Sequence, residues 1–343
     1  MLPWSSPLAG RFEELVVDSA ALRGNPLGDP HERPLLVYLP PGYDEDEAKR
    51  YPTVYVAQGY TGHIAMWWNR VPFRTPYPEL ADAMFARGEA PPAIVVYFDA
   101  WTSLGGSQFL DSPGTGQYHT YLCDEVVPFV DGRFRTLAAR DHRAITGKSS
   151  GGYGAMVTAM LRPDVFGALA THAGDALFDV CHRAEFPRCA RQLRDRAGGS
   201  YETFLEEFRQ RSIPREGDIE LLEMYAYAAA YSAEPDGRVL MPFDANGQVV
   251  PEVWQRWLAC DPVVMAGQEQ YAEALRSMRG IWIDAGRRDE YYLDLGASAF
   301  LDRVLAAGVQ QQQVYFELFD AGHGGIEYRY PLALAWLCER LQG

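Results

Sequence analysis

The sequence predicts an α/β fold: a mostly parallel sheet with helices on both faces. Three observations lead there. Short apolar runs alternate along the chain with stretches of helical periodicity, the pattern of repeated strand–helix units. The apolar runs, such as Thr53-Val54-Tyr55-Val56-Ala57, carry no polar face, which suits strands covered on both sides. At 343 residues and 48% hydrophobic content, the chain is long enough for one large sheet domain with an insertion.

Taken in order, residues 11–22 read as a first strand and Leu35–Leu39 as a second, closed by Pro40-Pro41-Gly42. No helical stretch separates these two, so they are expected to pair antiparallel at one edge. Thr53–Ala57 is a third strand, ending at Gln58-Gly59-Tyr60. A helix over 79–87 precedes a fourth strand, Ala93–Phe98. The segment from Asp99 to Gly116, rich in Gly and Ser, is expected to be a long loop. Tyr118–Val130 reads as a helix, Ala144–Thr146 as a fifth strand and Phe166–Thr171 as a sixth.

Regularity then stops. Residues 174–265 hold charged helical stretches at 201–211 and 218–231 and a Pro/Gly-rich piece at 235–251. The alternation resumes with a helix at 268–278, a strand at 280–284, a helix at 294–307, a strand at 314–319 and a last helix at 331–341. The chain therefore divides into a core over 1–173 and 266–343, with an insertion or lid at 174–265 before the penultimate strand.

A formal net charge of −15 argues against nucleic acid and anionic membranes as partners. No run approaches the length of a membrane span. Five scattered cysteines, with no Cys-x-x-Cys, exclude zinc-ligand spacing; a Cys181–Cys189 disulfide stays open. Reduced thiols and the absence of a signal-peptide pattern at residues 1–7 point to the cytoplasm.

One stretch carries chemistry. Gly147-Lys148-Ser149-Ser150-Gly151 follows an apolar strand and opens a helical stretch, the setting of a nucleophile elbow. The serine there sits on a strained turn, and the flanking glycines let strand and helix approach without a Cβ clash. In a parallel sheet, functional groups collect at the carboxyl ends of strands. After the strand 280–284 comes Asp289, the preferred acid over Asp284, with Glu290 third; a carboxylate at a strand end, such as Asp284, more often bonds the following turn. After the strand 314–319 comes His323 in a glycine-rich loop. Of the seven histidines, only His323 follows both the serine and a strand-end acid. The order Ser149, Asp289, His323 is that of an α/β-hydrolase triad. Backbone N–H groups of Ser150 and of Tyr60, with Gly59 second, are the candidate oxyanion donors. Gln58, Trp67, Trp68 and Trp101 follow strands three and four and are candidate substrate-binding residues. In the insertion, Tyr225, Tyr227, Tyr231, Trp254, Trp257 and Leu258 either face the cleft or pack the insertion down, and the loop 105–118 is a further candidate wall.

These pieces, together with Tyr118–Arg135, Ile283-Asp284-Ala285-Gly286 and Gly322-His323, resemble the esterase D-like branch of the α/β-hydrolases. That branch includes S-formylglutathione hydrolases, feruloyl esterases, enterochelin-esterase-like enzymes and mycolyltransferases. The resemblance runs through most of 33–172 and 268–340. It implies a serine esterase working on a small-molecule ester without cofactor or metal, and it puts the family's acid on Asp289. Gln58 stands where the family usually has His or Asp, and 174–265 has no counterpart. Acyl transfer and peptide cleavage are alternatives on the same triad, and a catalytically silent binding protein is the alternative of another class.

Overall fold

The computed structural model describes residues 7–69 and 71–342, so most of the N-terminal stretch read for a targeting signal, residues 1–6, lies outside it. An eight-stranded sheet is formed by β1 (Arg11–Asp18), β2 (Glu32–Leu39), β3 (Thr53–Ala57), β4 (Ile94–Phe98), β5 (Arg143–Lys148), β6 (Ala168–His172), β7 (Gly280–Gly286) and β8 (Val314–Phe319). Its order is β1-β2-β4-β3-β5-β6-β7-β8. β2 pairs antiparallel with both β1 and β4, and all other pairs are parallel. The expected antiparallel edge is therefore present. The five residues of β3 and of β4 are buried throughout, as strands covered on both sides must be.

Period-two alternation sorts the strand side chains into two cores. Leu36, Tyr38, Val54, Val56, Val95 and Tyr97 face helices α1 (Tyr77–Ala86) and α10 (Arg329–Arg340). Leu35, Val37, Tyr55, Val96, Ile145 and Ile283 face the opposite layer. That layer holds the helix α2 (residues 118–133), α3 (Ser150–Leu161), α8 (Glu269–Arg276), α9 (Leu293–Ala306) and the segment after β6.

Three expectations need adjustment. The first strand stops at Asp18, where Ser19 N donates to His31 O and the chain turns. The segment after β4 is not one open loop: Trp101–Thr102 pairs with Gly105–Gly106, and Asp111–Ser112 with Gly116–Gln117. It also does not wall the site at large. Phe109 fills the space left by Gly154, where a Cβ would lie 2.2 Å from its ring, and Ser112 Oγ donates to Ala229 O. Finally, helix α2 contains a π-helical stretch at Tyr121–Val126, which periodicity in the sequence does not reveal.

Between β6 and α8 lie α4 (Phe186–Ala197), α5 (Tyr201–Arg209), α6 (Asp218–Tyr231) and α7 (Pro251–Leu258). The tryptophans expected either to face the cleft or to pack do the latter. Trp257 is fully buried, donates Nε1 to Ser232 Oγ at 2.9 Å and stacks edge-on to Tyr231; Trp254 packs on Phe186. The five cysteines are all free, so Cys181 and Cys189 form no disulfide. Among the described residues no helix is long and apolar enough to cross a membrane.

Candidate active site

Ser149 sits between β5 and α3 with φ 59° and ψ −129°, a conformation that side-chain-bearing residues rarely adopt. Two backbone bonds hold it there: Ser149 N donates to His172 O at 3.0 Å, and Tyr153 N to Ser149 O at 2.9 Å. The turn is tight enough to require its glycines. A Cβ on Gly147 would lie 2.4 Å from Gly151 O, and one on Gly151 2.4 Å from Ala57 O. Both obstacles are backbone, which cannot rotate away. Gly151→Ala is therefore expected to lower stability by about 3 kcal/mol or more, read as a shift in the urea midpoint. Helix α3 beyond the turn is buried on every side, so its first N–H groups and dipole point at the serine from a water-poor setting.

His323 follows β8 and Asp289 follows β7, neighbouring strands of the sheet. His323 Nδ1 lies 2.8 Å from Asp289 Oδ2. The Asp289 side chain is wholly buried, and its other oxygen accepts Tyr291 N at 3.0 Å. Nδ1 facing a carboxylate fixes the imidazole with the proton on Nδ1 and the lone pair on Nε2. Glu290 plays a different part from the acid role weighed for it: its Oε2 accepts His323 N at 2.7 Å, a bond that holds this carboxyl below its ordinary range. The Tyr291 ring meets the imidazole edge-on at 5.0 Å. Ser149 and His323 open on the same cavity of about 720 Å³. Ser149 Oγ has no hydrogen-bond partner among the described residues, and catalytic hydrogen bonds often tighten only once substrate is bound.

Asp284, the rival acid, is engaged elsewhere. It does not bond the turn after its strand. It lies opposite His172 in the β6–β7 register, with His172 Nδ1 at 2.6 Å, Trp282 Nε1 at 2.9 Å and Arg329 Nε at 3.0 Å. Burial alone would raise its pKa; these three donors outweigh that and hold it below the usual carboxylate range. His172, whose carbonyl anchors Ser149 N, is thus braced from beneath by a second, buried acid–imidazole pair.

The loop after β3 touches the elbow. A Cβ on Gly59 would lie 3.5 Å from Lys148 O and 3.8 Å from Ser149 Cβ. The Tyr60 hydroxyl is committed to Leu104 O at 2.7 Å, whereas its backbone N–H has no acceptor among the described residues. Gln58, expected to bind substrate, is a buried brace: Nε2 donates to Gly62 O at 3.0 Å and Oε1 accepts Ala100 N at 3.3 Å. Of the three tryptophans proposed for substrate binding, only Trp67 lines the cavity. Trp68 packs against the core beside α1, and the Trp101 ring stands edge-on to His63. They miss the cavity because following a strand in sequence sets neither the direction of a side chain nor its depth.

The cavity wall also contains groups the sequence did not single out for chemistry. Lys148, one residue before Ser149, has its pKa lowered by burial. Asp175, just beyond β6, is pushed up to about 6 by burial, and Glu223 on α6 up to about 8. Buried His182 is pushed down to about 3 and is neutral at physiological pH. Asp175 follows a strand end, so the positional rule that singles out His323 as a candidate applies to it as well; Glu223 gives no such signal.

The sheet order, the elbow turn and the strand-end acid–imidazole pair define an α/β-hydrolase fold. A family profile described as Putative esterase matches residues 30–330, and the chain belongs to that family. Among curated proteins, an endo-1,4-beta-xylanase/feruloyl esterase of Xylanibacter ruminicola is 29% identical over 134 residues. The match covers 38% of this chain but only 18% of that longer protein. Among solved structures, a ferulic acid esterase superposes with a TM-score of 0.62 at 19% identity, covering 98% of this chain and all of that one. An S-formylglutathione hydrolase from Agrobacterium tumefaciens gives 0.59 at 17% identity, covering 98% of each chain. The feruloyl esterase module from Clostridium thermocellum gives 0.57 at 15% identity, covering 98% of this chain and 91% of that module.

Proposed function

We propose that this chain is a serine hydrolase that cleaves a carboxylic ester through an acyl-enzyme. One observation carries the reading: His323, paired with buried Asp289, opens on the same cavity as a serine held in a strained elbow. In the first half-reaction, Ser149 Oγ attacks the ester carbonyl while His323 Nε2 takes its proton. The backbone N–H groups of Ser150 and Tyr60 receive the developing oxyanion; losing one such donor costs on the order of 3 kcal/mol in the transition state. His323 then returns the proton to the departing alcohol. Water attacks the acyl-enzyme by the same relay and releases the acid. Asp289 holds the tautomer and stabilises the imidazolium.

The partner is thus a small-molecule ester, and the family's feruloyl esterases and S-formylglutathione hydrolases support that class. We assign substrate choice to the segment 174–265, three of whose side chains on α6 reach the cavity wall. Five unpaired cysteines support a reducing compartment and hence the cytoplasm. Stopped-flow hydrolysis of 4-nitrophenyl acetate tests the acyl-enzyme. The expected result is a burst of nitrophenol stoichiometric with enzyme, followed by a slower steady state. A protein that is folded yet releases no nitrophenol above the buffer rate would contradict the proposal.

A further inference from the structure

One wall of the cavity has no part in the triad. Helix α6 turns Ile219, Glu223 and Tyr227 toward it, four residues apart and so on one helical face. Tyr227 OH donates to Glu223 Oε1 at 2.7 Å. Ser150 Oγ, on the residue after the nucleophile, donates to Asp175 Oδ2 at 3.1 Å and lies 3.3 Å from Tyr227 OH. Gln108 Nε2 adds a bond to Asp175 at 3.4 Å. The Tyr227 hydroxyl also lies 3.4 Å from Asp175 Oδ2, so one phenol stands between the two carboxyls, and Asp175 is a single hydrogen bond from Ser150.

No Lys, Arg or His forms an ion pair with either carboxyl among the described residues. Among the described residues the cavity has two long cationic side chains: Arg74, which pairs with Glu327 at 3.4 Å, and Lys148, on the elbow strand, which forms no ion pair but lies within electrostatic reach of Asp175. Rings surround the two acids. Tyr227 meets Tyr60 at 5.8 Å and His182 at 4.7 Å, and His182 is 5% exposed with an Nε2 that has no partner. Asp175 feels the charges of His323 and Lys148, whereas no cation among the described residues acts on Glu223. A carboxyl of that kind beside aromatic faces forms the complement of an organic cation, which gains from both. The chain's formal charge of −15 adds a field that draws cations toward the protein.

Granted the ester-hydrolase reading on which it rests, we infer that Glu223, backed by Asp175 and Tyr227, selects esters that carry an ammonium group a short spacer away from the scissile carbonyl. Glu223 is a specificity-determining residue in this scheme and takes no part in bond making. The upward displacement of both carboxyls agrees with a charge site awaiting its counter-ion.

Two isosteric pairs test the selection. On the alcohol side, acetylcholine is compared with 3,3-dimethylbutyl acetate. On the acyl side, 4-nitrophenyl 4-(trimethylammonio)butanoate is compared with 4-nitrophenyl 5,5-dimethylhexanoate. Within each pair only the charge changes. The wild type is expected to prefer the cation by about tenfold or more in kcat/KM in at least one pair. Glu223→Gln is expected to bring that ratio to within about twofold of unity, and Asp175→Asn to lower it. Because the ratio is read within one variant, a general loss of activity cancels. Equal rates for cation and isostere in both pairs would overturn the selection and leave the esterase reading standing. A preference that survives in both variants would overturn the assignment to Glu223 and Asp175. Absence of turnover on all four esters by folded wild type would remove the esterase reading, and the selection with it.

Discussion

Asp289→Asn is expected to lower kcat for ester hydrolysis by about 10⁴ while leaving the thermal midpoint nearly unchanged. An amide in place of the carboxylate still fills the buried space beside His323 Nδ1. It can present its NH₂ there, however, which favours the tautomer with Nε2 protonated and removes the base that Ser149 needs. Asp284→Asn is expected to do the reverse. Asp284 accepts from His172, Trp282 and Arg329 in a fully buried setting, and breaking one partner of such a cluster costs about 3–5 kcal/mol. The sign of its pH dependence follows from the depressed pKa. Stability from Asp284 is fully present above its ordinary value of 3.8 and is lost as the pH falls through the lower, folded-state value. Acid unfolding of the wild type should therefore be steeper than that of Asp284→Asn. Measuring both variants for turnover and for urea midpoint separates the two roles. A larger loss of acylation rate in Asp284→Asn at matched folded fraction would reverse the assignment of the acid.

Ser149→Ala is expected to lower kcat by about 10⁶, the scale for removing the nucleophile of a triad that acts as a unit. Adding His323→Ala to it should cost almost nothing more, because a base with no hydroxyl to activate contributes little. Multiplicative losses in the double variant would mean that the two residues act independently. The serine variant should keep its stability, since alanine retains the Cβ and the same backbone turn, and Ser149 Oγ has no hydrogen-bond partner among the described residues to lose.

How far the site was legible in sequence depended on whether a residue's role is local. Ser149 declares itself because strand, glycines and helix are contiguous, and the 2.4 Å approaches at Gly147 and Gly151 are the clashes the motif anticipates. The placement of His323 and Asp289 at successive strand ends is legible because it needs only the order of elements. The second pair, His172 with Asp284, was not legible. It arises from the register of two parallel strands more than a hundred residues apart, which no spacing encodes. Gln58 and Trp101 were misread for a related reason. Both follow the right strands, yet one side chain turns inward to brace two loops and the other stands against His63. Glu223 lies in a segment where the sequence shows no motif of its own, although the family profile runs through it. Only the docking of α6 beside the elbow brings its carboxyl to the cavity.

The central claim is that Ser149 is an activated nucleophile served by His323. Reaction of the folded wild type with a fluorophosphonate, followed by intact-mass and peptide-level mass spectrometry, tests it most directly. One adduct per chain is expected, on Ser149, absent from Ser149→Ala and strongly slowed in His323→Ala. A folded wild type that stays unlabelled, or labelling undiminished in Ser149→Ala, would contradict it.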